Sequence, residues 1–198
     1  QLDLATGQAT WWNPLPDGPV HALALGGSAL YVGGHFSAIG WSAHANIAAL
    51  DLTTGEAKAW SPSISGSNAA VTALALGADT VYAGGYFATV NGAACSNLVF
   101  LNASTGATRL CRATDSGGPD ALVLNGSTLY VGGQFHTIAG QAREHLAALD
   151  TSTGIPNGWN PAPNAPVRSL ALSGSALYAG GYFRSIAVLP RTIAAIDL

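Results

Sequence analysis

The chain has no methionine and a single lysine, Lys58, among its 198 residues. Charged residues make up 9% of it, against about a quarter in an ordinary soluble domain. The six arginines are scattered and the net charge is −3, so no basic stripe exists to grip a phosphate backbone. Nucleic acid is therefore not an expected partner. Although 48% of the residues are hydrophobic, no apolar run approaches the roughly 18 residues of a membrane helix, and no membrane span is expected. The signatures of several chemistries are also missing. There is no H-E-x-x-H, no C-x-x-C, no calcium loop of the D-x-D-x-D-G kind and no G-x-S-x-G elbow. The five histidines, His21, His35, His44, His136 and His145, show no ligand spacing. No metal, cofactor or catalytic residue is expected, and the chain reads as a protein that is not an enzyme.

What is abundant is punctuation. With Ser and Asn, 25 Gly and 10 Pro break the apolar residues into short pieces, the rhythm of an all-β protein. The pieces repeat. "LYVGGHF" at 30–36 returns as "VYAGGYF" (81–87), "LYVGGQF" (129–135) and "LYAGGYF" (177–183). The tyrosines fall at 31, 82, 130 and 178, spaced 51, 48 and 48. A Thr-Gly phrase at 6–7, 54–55, 105–106 and 153–154 keeps the same period. One unit reads as four strands: "VHALAL" (20–25), "ALYVGG" (29–34), "NIAALDL" (46–52) and "EAKAWSP" (56–62). The turn between the last two opens on Asp, which bonds its own local backbone, and closes on Gly, which accepts positive φ. Four short antiparallel strands per 40–50 residues predict a β-propeller of four blades. The repeat units fall at about 15–62, 63–114, 115–163 and 164–198.

The phrases Y-V/A-G-G-x-F, A-A-L-D-x-x-T-G and W-x-P resemble those of a family of secreted or cell-surface β-propeller repeats of unknown function, found in wall-associated proteins. The resemblance covers nearly the whole chain. It implies the fold and an extracellular or cell-surface setting, and it implies no common activity.

Closure is expected from the ends. "ATGQATWWNP" (5–14) supplies a fourth strand without its third, and "IAAIDL" (193–198) supplies a third without its fourth. The two complete one blade between them. "QLDL" (1–4) and "AIDL" (195–198) occupy the same place in the repeat, which also suits a piece of a longer array with more blades. The chain likewise begins at Gln1 in mid-repeat, as a processed product or fragment would.

Function is sought where repeats diverge. The Trp of W-x-P recurs at Trp12, Trp60 and Trp159, but repeat two has Cys111 there. Sixteen residues upstream of Trp60 and Trp159 are His44 and Arg143, each expected over its indole as a cation–π pair, with Arg191 doing the same to Trp12 across the closure. Sixteen upstream of Cys111 is Cys95, so a disulfide is expected in that blade; the alternative is two unrelated small core residues. Sequons at Asn102 and Asn125 fall in hairpin turns where a glycan can be carried, or where Asn simply serves turn geometry. The first positions of the innermost strands, His21, Thr72, Asp120 and Arg168, and the variable letter of the Gly-Gly phrase, His35, Tyr86, Gln134 and Tyr182, should share one face near the axis. Such a polar mouth could hold a sugar or an anion, or it is a solvated rim of strand ends. The reading is an extracellular structural scaffold within a larger surface, wall or fibre assembly, binding other protein domains or copies of itself. A carbohydrate- or protein-recognition module of lectin type is the alternative, and an enzyme is the least supported.

Overall fold

The computed structural model describes residues 1–187, 189–190 and 193–197. Every regular element in it is a strand. Blade one pairs Val20–Gly26, Ala29–Gly34 and Ile47–Asp51, antiparallel and in that order from inner to outer. Blade two repeats this with Ala70–Leu76, Thr80–Tyr86 and Leu98–Asn102. Blade three uses Pro119–Asn125, Thr128–Gly133 and Leu146–Asp150. Blade four uses Val167–Ser173, Ala176–Gly181 and Ile193–Asp197. The loop after each middle strand carries a small hairpin of its own, such as Ala38–Ile39 with Ser42–Ala43.

The Asp turns behave as their composition dictates. Asp150 Oδ1 accepts the amides of Ser152 and Thr153, and Gly154 closes the turn at φ +66°. Asn102 does the same for Ser104 and Thr105. The Gly-Gly pair has two different duties. Its second glycine lies against backbone at the bulge in its own inner strand: a side chain on Gly85 would strike the Ala70 carbonyl, beside the register shift at Val71/Ala73. Its first glycine is a socket for the following blade. A Cβ on Gly84 would sit 2.7 Å from Pro119 Cβ, and one on Gly132 2.7 Å from Val167 Cγ1. Sheets therefore stack face to face at glycine distance. The interface of blades one and two buries Val71, Val81, Val99 and Leu101 against Ala29, Tyr31, Ile47 and Ala49.

Among the described residues a fourth strand is complete in blade two alone, where Thr108–Cys111 pairs with Leu98–Asn102. In blades one and three the outer segment shrinks to single bridges, Leu50↔Ala57 and Leu149↔Pro156. The indole explains the difference. Trp60 leaves the edge of blade one, donates Nε1–H to the Asn102 carbonyl of blade two at 2.9 Å, and meets Tyr31 edge to face at 5.1 Å. Trp12 makes the equivalent bond to the Asp51 carbonyl. In blade two Cys111 is bonded to Cys95, with Cα atoms 5.5 Å apart, and the strand stays on its sheet. Arg112 takes over the indole's task, donating Nε to the Thr153 carbonyl of blade three. The missing aromatic is supplied by Phe100, which stands where the sister blades have Ala49 and Ala148 and packs edge to face on Tyr82 at 4.7 Å.

Closure on four blades is not seen among the described residues. Inner strands touch in the series one–two, two–three and three–four, and no comparable contact joins four to one among the described residues. Residues 1–14 do not pair with Ile193–Asp197. They form their own bridge, Leu2↔Ala9, in the pattern of Leu50↔Ala57, and lean on blade one through Trp12. The reason is the duplicated "QLDL": the N-terminal segment brings its own short piece of outer strand and has no need of the other. The stack is an open arc. Val20, Leu23 and Leu25 at its start are 39%, 61% and 68% exposed, whereas Val71, the counterpart of Val20, is fully buried and Leu74 and Leu76 are half-buried. Tyr178 at its other end is 43% exposed, against 5–8% for Tyr31, Tyr82 and Tyr130.

Candidate functional site

Each inner strand begins, and each middle strand ends, on the loop face. Five of the eight expected mouth residues meet there across blades two, three and four. Gln134 Nε2 donates to the Tyr86 hydroxyl, and Arg168 Nη1 to Asp120 Oδ2 at 2.8 Å. The Arg168 guanidinium lies over the Tyr182 ring, 4.9 Å from its centroid. Burial pushes the Asp120 carboxyl above its ordinary value, and Arg168, followed by the Gln134 amide, opposes that shift. Burial also raises the Tyr86 hydroxyl, and the Asp120 charge adds to it. The network bridges three blades and satisfies most of its own polar groups.

The other three residues are placed differently. Thr72 Oγ1 donates to the Pro119 carbonyl at 2.6 Å, and the His35 Nδ1 meets the Ala69 carbonyl at 2.8 Å. Both stitch a blade to its successor. His21 is exposed on the free end of blade one. A cavity of about 520 Å³ opens between blades one and two beside Gly18, Phe36, Asn46 and Ile64, and of the eight residues His35 lines it.

The cation–π expectation is also corrected. Arg143 donates Nη2 to the Asn157 carbonyl at 2.6 Å, and Trp159 packs instead on Tyr130, edge to face at 5.3 Å. His44 is buried with its Nδ1 unpartnered, and Trp60 is held by Tyr31. Arg191 lies outside the described residues. Of the sequon residues, Asn125 is exposed beside Gly126, and Asn102 is half-buried in its turn.

Sequence reasoning missed a second cluster. His136, Glu144 and His145, all in the loop of blade three, each bring one ligand atom within 4.8 Å of the others. The signal was in the repeat: the same positions read Ser37, Ala45 and Asn46 in blade one, and Ala88, Ser96 and Asn97 in blade two.

Similar proteins agree on the architecture. The designed protein Ika4 matches with a TM-score of 0.63 at 15% identity, over 96% of this chain and 99% of that one. A chain of the mitotic checkpoint complex matches with a TM-score of 0.64 at 16% identity, over 99% of this chain and 56% of that one. The WD40 repeats of RRP9 match with a TM-score of 0.57 at 12% identity, over 83% and 46%. At such identities the likeness is one of fold, a β-propeller. No curated protein matches the chain. Residues 1–190 do match a protein family, and the chain belongs to it: the family of the outer membrane protein assembly factor BamB.

Proposed function

We propose that the chain is a non-enzymatic extracellular scaffold whose two end blades dock further propeller blades, supplied by a second copy of itself. The observation that carries this is the pair of uncovered end faces. Val20, Leu23 and Leu25 are the projections that blades two, three and four press into the preceding blade. Gly180, whose Cβ position meets only Ser169 Oγ of its own blade, is the socket that Gly33, Gly84 and Gly132 offer to a follower. One copy's projections match the other's socket because the repeat has already built that contact three times. The Trp12 segment of each copy then lies beside the free edge Ile193–Asp197 of the other. The disulfide and the resemblance to secreted repeats support an oxidising, extracellular or cell-surface compartment.

Light scattering on the 198-residue chain tests the reading. Two copies per particle are expected, and a shift to one copy in Leu23→Asp/Leu25→Asp. A wild type that stays single up to about 100 μM overturns it, because the contact would then be worth less than about 5.5 kcal/mol.

A second reading rests on the network of Tyr86, Gln134, Asp120, Arg168 and Tyr182. Aromatic faces beside a charged pair are the materials of a carbohydrate subsite. A glycan array tests it, and binding that survives Asp120→Ala with Arg168→Ala would sink it.

A further inference from the structure

We propose that His136, Glu144 and His145 bind a divalent transition-metal ion of the zinc class on the loop face of blade three, leaving coordination positions open. The imidazoles approach one carboxylate: Glu144 Oε2 lies 3.8 Å from His136 Nε2 and 4.0 Å from His145 Nε2. Ligands at about 2.0–2.1 Å from a tetrahedral zinc stand about 3.3 Å apart. Both Glu144–imidazole distances therefore have to close by less than about 1 Å, and the exposed side chains of His136 and Glu144 are free to do it. Two nitrogen donors and one carboxylate suit zinc and its neighbours in the first transition row. Calcium and magnesium prefer oxygen alone.

The surroundings are built for such a role. Ser116 Oγ is 3.0 Å from His136 Nδ1, an outer partner that holds the ring with its Nε2 towards Glu144. Asp115 accepts the amides of His136 and Thr137 at 2.9 and 3.0 Å and fixes the loop. The His145 amide donates to the Phe135 carbonyl, and its own carbonyl accepts from Gly133, so its backbone is anchored on both sides. The His145 imidazole is only 7% exposed, yet neither ring nitrogen makes a hydrogen bond among the described residues, and the buried Nδ1 has no partner at all. The Nε2 that faces Glu144 is therefore free to take a metal ion.

The repeat gives an independent argument. His145 holds a left-handed position, φ +60°, which blades one and two fill with Asn46 and Asn97. Those asparagines use their side chains to tie the loop to the next blade, through the Ile64 carbonyl and Thr114 Oγ1. Blade three gives up that tie. At the same time it changes two further positions, 136 and 144, to groups that reach the same point. Packing alone asks for none of the three changes, because the sister blades fold without them.

The test is titration of the whole chain with Zn²⁺ against a chelating dye, and with Co²⁺ for the visible spectrum of a low-symmetry nitrogen–oxygen site. One equivalent is expected. His136→Ser and His145→Asn restore the residues of blade one, so they keep the fold, and each should weaken binding at least about 100-fold. Ser116→Ala should weaken it about 10-fold, as loss of an outer-shell partner does. His35→Ala is expected to change nothing. No binding by the wild type at about 100 μM Zn²⁺, or equal binding by His136→Ser and His145→Asn with native melting curves, overturns the proposal.

Discussion

Gly84→Ala adds one methyl group at the junction of blades two and three. The added carbon would lie 2.7 Å from Pro119 Cβ, 3.1 Å from Pro119 Cγ and 3.5 Å from Leu122 Cδ1. The proline ring cannot rotate away, and Pro119 is itself paired with Gly133 in blade three, so the two sheets must part. Overpacking of this kind costs about 1–3 kcal/mol. For a chain of this length each kcal/mol is worth about 2–4 °C, so the melting temperature should fall by about 6 °C. Gly180→Ala is the matched control. It occupies the same place in the phrase, but its new carbon meets only the Ser169 hydroxyl, at 2.8 Å, which turns aside. Measured in the Leu23→Asp/Leu25→Asp background, where no second copy fills the socket, its melting temperature should stay within about 2 °C of its parent, as surface changes usually do. Differential scanning calorimetry of both variants decides the matter. A Gly84→Ala protein within about 1 °C of wild type, or a Gly180→Ala protein that falls as far as Gly84→Ala, would refute the socket argument.

Other outcomes are expected from the same structure. Trp60→Phe keeps the contact with Tyr31 and loses the bond to the Asn102 carbonyl, which should cost about 1 kcal/mol by urea unfolding, while Trp60→Ala should cost about 3–5 kcal/mol. Reduction of the Cys95–Cys111 bond, which spans 16 residues, should lower stability by about 3 kcal/mol in the chain-entropy account, and the Cys95→Ser/Cys111→Ser variant should show the same loss and no further response to reductant. Asp51, held near 2 by Lys58, and Asp150, held near 2 by Ser152 and the Thr153 amide, have folded values below the ordinary 3.8. They stabilise the fold above 3.8 and lose that contribution as pH falls towards 2. Asp51→Asn/Asp150→Asn, which copies Asn102, should therefore show a flatter fall in urea midpoint between those two pH values.

The strands, their order and the turn chemistry were legible because the chain states them four times, and because Asp, Gly and alternating apolar residues act locally. The disulfide was legible for a related reason: two positions changed together in one repeat. What escaped was less local. Trp60 was assigned to a strand edge, since nothing nearby in sequence shows that its partner is the carbonyl of Asn102 in the next blade. Phe100 reads as one more apolar letter, although it replaces an alanine in the very blade that lost its tryptophan. The repeat puts the mouth residues at like ends of their strands, but it does not show which blades touch, and His21 stands apart from Arg168 because no inner-strand contact joins blade four to blade one among the described residues. His136, Glu144 and His145 were scanned for motif spacing along the chain, and a hairpin brings them together instead.

The socket and projection lie on opposite faces of every blade, and this gives the stack a direction. No copy can satisfy another by mirroring it; each must offer its leading face to a trailing one. Growth of that kind has no built-in end. It stops only when successive rotations return the last face to the first, and any pitch between units turns the same contact into an open filament. The angle between neighbouring sheets, set by how deeply a valine or proline sinks over one glycine, is then the quantity that chooses between a ring and a fibre.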